Sequence, residues 1–202
     1  MSLYPLMIEG SALFAVVIGG GPVATRKVNA LLDAGAKVRV IAPKASSELA
    51  ALASARRIEL VRDVYSREQL ADAALIVAAT NDASLNAHIA EDARALGRLV
   101  NVVTAPSDGN CITPAVHRSG EVVVAVSAGG VPDAAARIRD AIGQRLNQRY
   151  ADAVQSLSAL RRELIDGGER DRWSSAAAAL IGDDFCARVD SGQFAEAIRE
   201  WR

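Results

Sequence analysis

The feature that most constrains this chain is an apolar run, residues 12–18, that leads directly into Gly19-Gly20-Gly21-Pro22-Val23-Ala24. A continuous apolar run of this kind reads as a strand buried on both faces of a parallel sheet. The residues after it fit the pattern Gly-x-Gly-x-x-Ala. Ala24, Val28, Leu31 and Leu32 then recur at helical spacing as far as Gly35, a natural helix stop. The glycines allow a tight turn and let the backbone approach a pyrophosphate with no Cβ in the way. The helix N-terminus then offers free N–H groups and a partial positive charge. Pro22 suits an early helical position, where its missing N–H is not needed. Gly19, Gly21, Pro22, Val23 and Ala24 are therefore expected cofactor contacts, a reading that a bare glycine turn competes with poorly in a complete strand–turn–helix setting.

The same alternation continues beyond Gly35. Residues 37–41 form a second strand closed by Pro43, 58–61 a short third, 75–79 a fourth and 99–103 a fifth. Ser66-Arg67-Glu68-Gln69 has capping-box spacing and starts a helical turn. Leu85, Ile89, Ala93 and Leu96 mark a helix that ends at Gly97. Strands and helices in this order imply right-handed crossovers and an α/β Rossmann fold with a doubly wound, mostly parallel sheet. The alternation ends near Asn110. A strand-like run, 121–127, then precedes Gly129-Gly130-Val131-Pro132. Residues 133–165 read as helix bent near Gly143, Gly167-Gly168 breaks the pattern, and the tail is again mostly helical. Three parts are expected: a dinucleotide-binding Rossmann domain over 1–112, a connecting strand-and-helix segment over 113–147, and a small helical domain over 148–202.

Composition narrows the function classes. The formal net charge of the 202 residues is −1, so there is no bulk basic field for nucleic acid. Cys111 and Cys186 are too few for a metal cage or a disulfide scaffold, and neither histidine, His88 nor His117, has a second ligand at metal spacing; no metal site is expected. No apolar run approaches the roughly 18 residues of a membrane span. No basic region precedes the first apolar residues and Glu9 interrupts them, so the expectation is a cytoplasmic protein without a secretory signal.

Further candidates lie at the carboxyl ends of the strands, where open α/β sheets bind ligands. A dinucleotide site usually carries Asp or Glu at the end of the second strand to hold the ribose. This chain has Ile41-Ala42-Pro43-Lys44. Either backbone groups around Pro43 hold the ribose or Lys44 accepts a 2′-phosphate, which leaves NAD against NADP open. After the fourth strand, Thr80 and Asn81 are expected cofactor contacts, with Asn81 or Asp82 also capping the next helix. After the fifth, the polar loop 101–110 begins with Asn101, another expected cofactor contact. Its only ionisable side chain is Asp108, a candidate base or simply part of an Asp-Gly turn.

Taken together, Tyr4-Pro5-Leu6, the glycine turn followed by Thr25-Arg26-Lys27, Leu31-Leu32 with Ala34-Gly35-Ala36, Ile41-Ala42-Pro43, Ala79-Thr80-Asn81-Asp82, Asn101-Val102-Val103 and Ser127-Ala128-Gly129-Gly130 resemble the precorrin-2 dehydrogenases of siroheme synthesis. The resemblance covers most of the first 140 residues; the helical tail matches only in general character. It implies a homodimer, joined through the connecting segment, that oxidises precorrin-2 to sirohydrochlorin and passes hydride to NAD. Some members also insert ferrous iron, and in those an aspartate follows Asn-Val-Val. This chain has Thr104 there, which cannot act as a carboxylate base. Ser127-Ala128 and Pro132-Asp133 also depart from the family's double serine and Ser-Pro. Ser107-Asp108-Gly109-Asn110 with Pro114-Ala115 is similar to members that act as dehydrogenases only and leave iron to a separate chelatase. Dehydrogenase without chelatase is the expected activity; a bifunctional dehydrogenase–ferrochelatase and a non-catalytic nucleotide-sensing module are the alternatives.

Within that reading Asp108 is the expected proton acceptor and His117 its alternative, unless His117 is a surface residue before the turn at Ser119-Gly120. The substrate is a polycarboxylate. Arg118, Arg137, Arg139 and Arg145 suit it through bidentate pairing, or else form a solvated helix face with Asp140. Ser127 and the Gly129-Gly130 backbone offer N–H groups for a propionate, and Thr104 is placed in the same substrate site.

Overall fold

The apolar run before the glycine turn folds as β1 (Phe14–Ile18), with Ala15, Val16 and Val17 fully buried. It is the central strand of a five-stranded parallel sheet in a computed structural model that describes residues 3–202. Its neighbours are β2 (Lys37–Ile41) and β4 (Leu75–Ala78); β3 (Glu59–Val61) and β5 (Leu99–Val102) complete the order β3-β2-β1-β4-β5. The chain divides into two compact units, one ending at Thr113 and the other running from Pro114 to Arg202.

Successive strand residues point to opposite faces, and both faces are covered. Val16, Ile18, Ile76, Ala78, Val100 and Val102 pack with Ile89, Ala90 and Ala93 of α3 (Ala83–Ala95). Val17, Val38, Val40 and Val77 pack with Ala24 and Val28 of α1 (Pro22–Asp33) and Leu49 of α2 (Ser47–Ser54). Each fully buried Val, Leu or Ile side chain in these layers is worth roughly 1.5–3 kcal/mol of transfer free energy. Strand order reverses between β1 and β4, so the crevice at their carboxyl ends is the switch point at which such sheets bind ligands. Sequence reasoning missed α2. Its signal was Ser46, whose hydroxyl accepts from Leu49 N–H at 3.2 Å. The capping box at Ser66 does start a helical turn, Arg67–Leu70, with the Gln69 side chain accepting from Ser66 N–H at 2.9 Å.

The second unit begins with an antiparallel hairpin, β6 (Ala115–Ser119) and β7 (Val122–Val126). β6 was not read from the sequence. α4 (Pro132–Arg145) runs straight through Gly143, and the break falls at Leu146-Asn147, where the Asn147 side chain caps α5 (Gln148–Asp166). Gly143 thus marks close packing, not a bend: a Cβ there would lie 2.7 Å from the His117 ring on β6. α5 packs with α6 (Arg170–Leu180), α7 (Phe185–Ser191) and α8 (Gln193–Ala197) around Leu160, Leu164, Leu180, Val189 and Phe194. The stretches 114–147 and 148–202 share this unit. Among the described residues, no helix is long and apolar enough to cross a membrane.

Candidate functional site

The three glycines after β1 do different work. Gly19 has φ +130°, and a Cβ on it would sit 2.4 Å from the Ala79 carbonyl at the end of β4. A Cβ on Gly20 would sit 1.9 Å from the Lys44 carbonyl, in the loop that leaves β2. These two glycines let the turn pass between the ends of the neighbouring strands, and Ser46 N–H bonds to the Gly20 carbonyl at 2.9 Å. Gly21 differs. It is the N-cap of α1, with ordinary extended backbone, and nothing lies within 4 Å of where its Cβ would be. That open space stands at the start of a twelve-residue helix whose first N–H groups have no intrahelical acceptor, the arrangement that receives a pyrophosphate. Ala24, fully buried, allows the close approach of α1 to the sheet. Thr25 ties the turn together: its hydroxyl donates to Gly21 O at 3.1 Å and lies 3.0 Å from the Ser46 hydroxyl.

Pro43 and Lys44 are exposed at the end of β2. Beside them a shallow cleft of about 360 Å³ is lined by Pro22, Thr25, Arg26, Asn29, Ser46, Ser47 and Glu48. Asn29 Nδ2 donates to Glu48 at 2.7 Å. This cleft between the starts of α1 and α2 carries both a guanidinium and a carboxylate.

The loops after β4 and β5 are joined by a residue that sequence reasoning missed, Asn86 of α3. It is fully buried. Its Oδ1 accepts from Thr80 N–H at 3.1 Å and from the Thr80 hydroxyl at 2.8 Å; its Nδ2 donates to Thr80 O at 3.0 Å and to the Thr104 hydroxyl at 3.2 Å. Thr80 and Thr104 are thus held together at the switch point, and Thr104 is exposed there. Asn81 is exposed beside them. Asp82 rather than Asn81 caps α3, accepting from Ser84 N–H at 2.9 Å and Leu85 N–H at 3.0 Å. The Ser84 hydroxyl and then these N–H groups hold the Asp82 carboxyl below the usual range.

Asn101 faces the α1 layer. It is buried, its Nδ2 donates to Cys111 O at 3.2 Å, and its Oδ1 has no partner among the described residues. Lys27, on α1, bonds to the Thr113 hydroxyl. Burial, and next the charge of Arg26, lower the Lys27 pKa, while burial pushes the Cys111 thiol up.

Asp108 is placed elsewhere. The loop after β5 turns back through a helical turn, Pro106–Asp108, and Asn110 pairs with Val100 N–H and Arg98 O at the start of β5. The Asp108 carbonyl accepts from Arg94 in the last turn of α3. Asp108 takes no part in the Thr80–Asn86–Thr104 network.

The remaining candidates belong to the second unit. His117 is half-buried against α4, its Nε2 3.0 Å from Leu146 O. That is a structural seat against Gly143. Arg118, Arg137 and Arg145 are exposed, whereas Arg139 pairs with Asp140 at 2.6 Å. Ser127 and Gly129 lie in an exposed turn before α4, with Val131 N–H bonded to Ala128 O at 2.9 Å. Among the described residues no three His, Cys, Asp or Glu side chains are grouped to hold a metal.

A family model described as "Putative NAD(P)-binding" matches residues 6–115. The chain is 37% identical to a siroheme synthase of Pseudomonas aeruginosa (strain UCBPP-PA14), over 98% of this chain and 43% of that protein. It is 41% identical to the siroheme synthase of Pseudomonas putida (strain W619), with the same shares covered. The chain therefore spans less than half the length of these relatives. Among solved structures it is similar to "SirC, precorrin-2 dehydrogenase", with a TM-score of 0.78 and 27% identity over 98% of this chain and 100% of that one.

Proposed function

From a chain that belongs to the precorrin-2 dehydrogenase family and carries its NAD(P)-binding domain, we propose the oxidation of precorrin-2 to sirohydrochlorin in siroheme synthesis, with a nicotinamide cofactor. The observation that carries the reading is the open space at Gly21, at the N-terminus of α1 and beside the switch point. The residues fit the cofactor: Gly21, Val23 and Ala24 would receive the pyrophosphate, Pro43 and Lys44 would flank the ribose, and Thr80, Asn81 and Asn101 border the nicotinamide side. The bound cofactor supplies the hydride acceptor. This chain's own part is to bind, orient and keep the macrocycle against it.

We take the cofactor as NAD because Glu48, held by Asn29, puts a carboxylate in the cleft at the end of β2. Arg26 and Lys44 are the residues that would favour a 2′-phosphate, and side-by-side titration with NAD and NADP decides between them. Thr104 contributes a hydroxyl to the substrate site. Asp108 was the expected base, but it takes no part in the Thr80–Asn86–Thr104 network at the switch point, and we propose solvent as the proton acceptor. His117 is committed to Leu146 O, so we give it a bracing role. Ser127, Gly129, Arg118 and Arg137 are proposed to bind substrate carboxylates from their exposed positions.

The proposal includes a cytoplasmic homodimer formed through residues 113–147, supported by the exposed apolar side chains of Val116, Val131 and Ile138. It also leaves iron insertion to a separate chelatase. One experiment tests the function. Purified protein is given precorrin-2 with NAD, and separately sirohydrochlorin with ferrous iron. NADH formation without iron insertion is expected. Iron insertion as well would make the chain bifunctional, and NAD binding with neither reaction would replace the enzyme with a nucleotide sensor.

A further inference from the structure

We propose that Asn86 fixes the Thr104 hydroxyl as a hydrogen-bond donor facing the ligand crevice, so that this position recognises a carboxylate oxygen of the tetrapyrrole. The inference rests on the functional reading above.

The polarity follows from the neighbours of the Asn86 amide. Thr80 N–H can only donate, so the Asn86 atom 3.1 Å from it is the oxygen. Thr80 O can only accept, so the Asn86 atom 3.0 Å from it is the nitrogen. The amide cannot be flipped without losing both bonds. Its second N–H is then directed at Thr104 Oγ1, 3.2 Å away. The Thr104 hydroxyl accepts that bond, so its own proton must go to another acceptor. Among the described residues it has none, and Thr104 is exposed at the carboxyl end of β5. A hydroxyl whose proton is turned out in this way is free to donate to an anionic or carbonyl oxygen, with one lone pair left over. The substrate's acid side chains supply such oxygens. Asn86 acts through Thr104 and is a positioning residue; Thr104 is the residue that touches the ligand.

The test removes the Asn86 donor with little change of shape. In Asn86→Asp the carboxylate still accepts from both Thr80 donors, but it can no longer donate to Thr104 or to Thr80 O, and comparison with the double variant separates the two losses. The Thr104 hydroxyl then turns inward to donate to the carboxylate, and its lone pairs face the crevice. Steady-state kinetics and a binding titration with sirohydrochlorin are run on this variant, on Thr104→Val and Thr104→Ser, and on the double variant Asn86→Asp/Thr104→Val. Asn86→Asp and Thr104→Val are each expected to raise KM for precorrin-2 by about tenfold or more, as for a lost hydrogen bond to a charged group. The KM for NAD stays within about threefold, because uniform binding is lost for one ligand only. Thr104→Ser retains the wild-type KM, and the double variant is no worse than Thr104→Val. An unchanged KM in Thr104→Val overturns the proposal, as does an equal effect of Asn86→Asp with and without the Thr104 hydroxyl, since Asn86 would then act through the fold alone. A rise in KM for NAD instead assigns the hydroxyl to the cofactor and also overturns it. A wild-type chain that neither binds nor oxidises the tetrapyrrole overturns the functional reading itself, a result separable from failure of the cycle in an active enzyme.

Discussion

Replacing Gly21 should separate cofactor binding from folding in a way that replacing Gly20 cannot. Gly21 has φ −88° and ψ −174°, a conformation open to any residue, and no atom lies within 4 Å of its missing Cβ. Alanine at an N-cap is worse than glycine by roughly 1 kcal/mol, and removing a glycine from the unfolded chain returns about 0.4–1 kcal/mol. The two nearly cancel, so Gly21→Ala should shift Tm by no more than about 5 °C. The same side chain would stand in the proposed pyrophosphate site, and valine extends further into that space. Losing charge-assisted bonds from the helix N-terminus costs about 1.5–3 kcal/mol, which weakens NAD binding by roughly 10- to 150-fold for Gly21→Val. Gly20→Ala is the control. Its Cβ would overlap the Lys44 carbonyl at 1.9 Å, so the loop after β2 must move and the unit lose stability with or without ligand. Thermal melts without cofactor, paired with a calorimetric NAD titration of each variant, read both quantities. An unchanged Kd in Gly21→Val would refute the placement of the pyrophosphate, and a collapsed melt in Gly21→Ala would refute the claim that its space is free.

Three further outcomes follow from the same geometry. Asp108→Asn should leave kcat within about threefold, because the residue lies outside the Thr80–Asn86–Thr104 network; a fall of a hundredfold would restore it as the general base. Gly143→Ala should destabilise the second unit by about 1–3 kcal/mol through overlap with the His117 ring. Urea unfolding of Gly143→Ala/His117→Ala should recover most of that loss, and an additive double variant would show that the two residues do not share a contact. Burial raises the Cys111 thiol pKa, so the folded state holds that proton more tightly than the unfolded chain. Its contribution to stability is therefore complete below the ordinary thiol value and lost as pH rises through the raised one. Alkylation near neutral pH should label exposed Cys186 well before Cys111, and equal rates would contradict the burial.

The parts of this fold that were legible in the sequence are those whose environment is uniform. β1 and β4 are apolar on both faces, so they appear as unbroken runs, and the crossover helices follow from their spacing. β6 was hidden because it is half-exposed: His117 and Arg118 interrupt its pattern, although His117 points to a helix and Arg118 to solvent. α2 was hidden because its eight residues bury little beyond Leu49, and its cap, Ser46, is itself part of the glycine turn's surroundings. Gly19, Gly20 and Gly21 look alike in sequence. Their difference depends on which carbonyl stands opposite each, a property of the strands beside them.

Asn86 is the sharper case, because the residue type alone carries no functional signal in the first turn of a helix. Its meaning comes from Thr80 six residues before it and Thr104 eighteen residues after it, brought together only when β4 and β5 pair in register, with Ala78 opposite Val102. A buried amide satisfied on both sides leaves no freedom in which way it donates. The polarity of the exposed hydroxyl at Thr104 is therefore decided in the core, by backbone groups that cannot reverse their roles. An acid at position 104 would accept the same Asn86 bond and present negative charge to the crevice, whereas threonine presents a proton. That single exchange turns a group that can only accept into one that can also donate to a ligand oxygen.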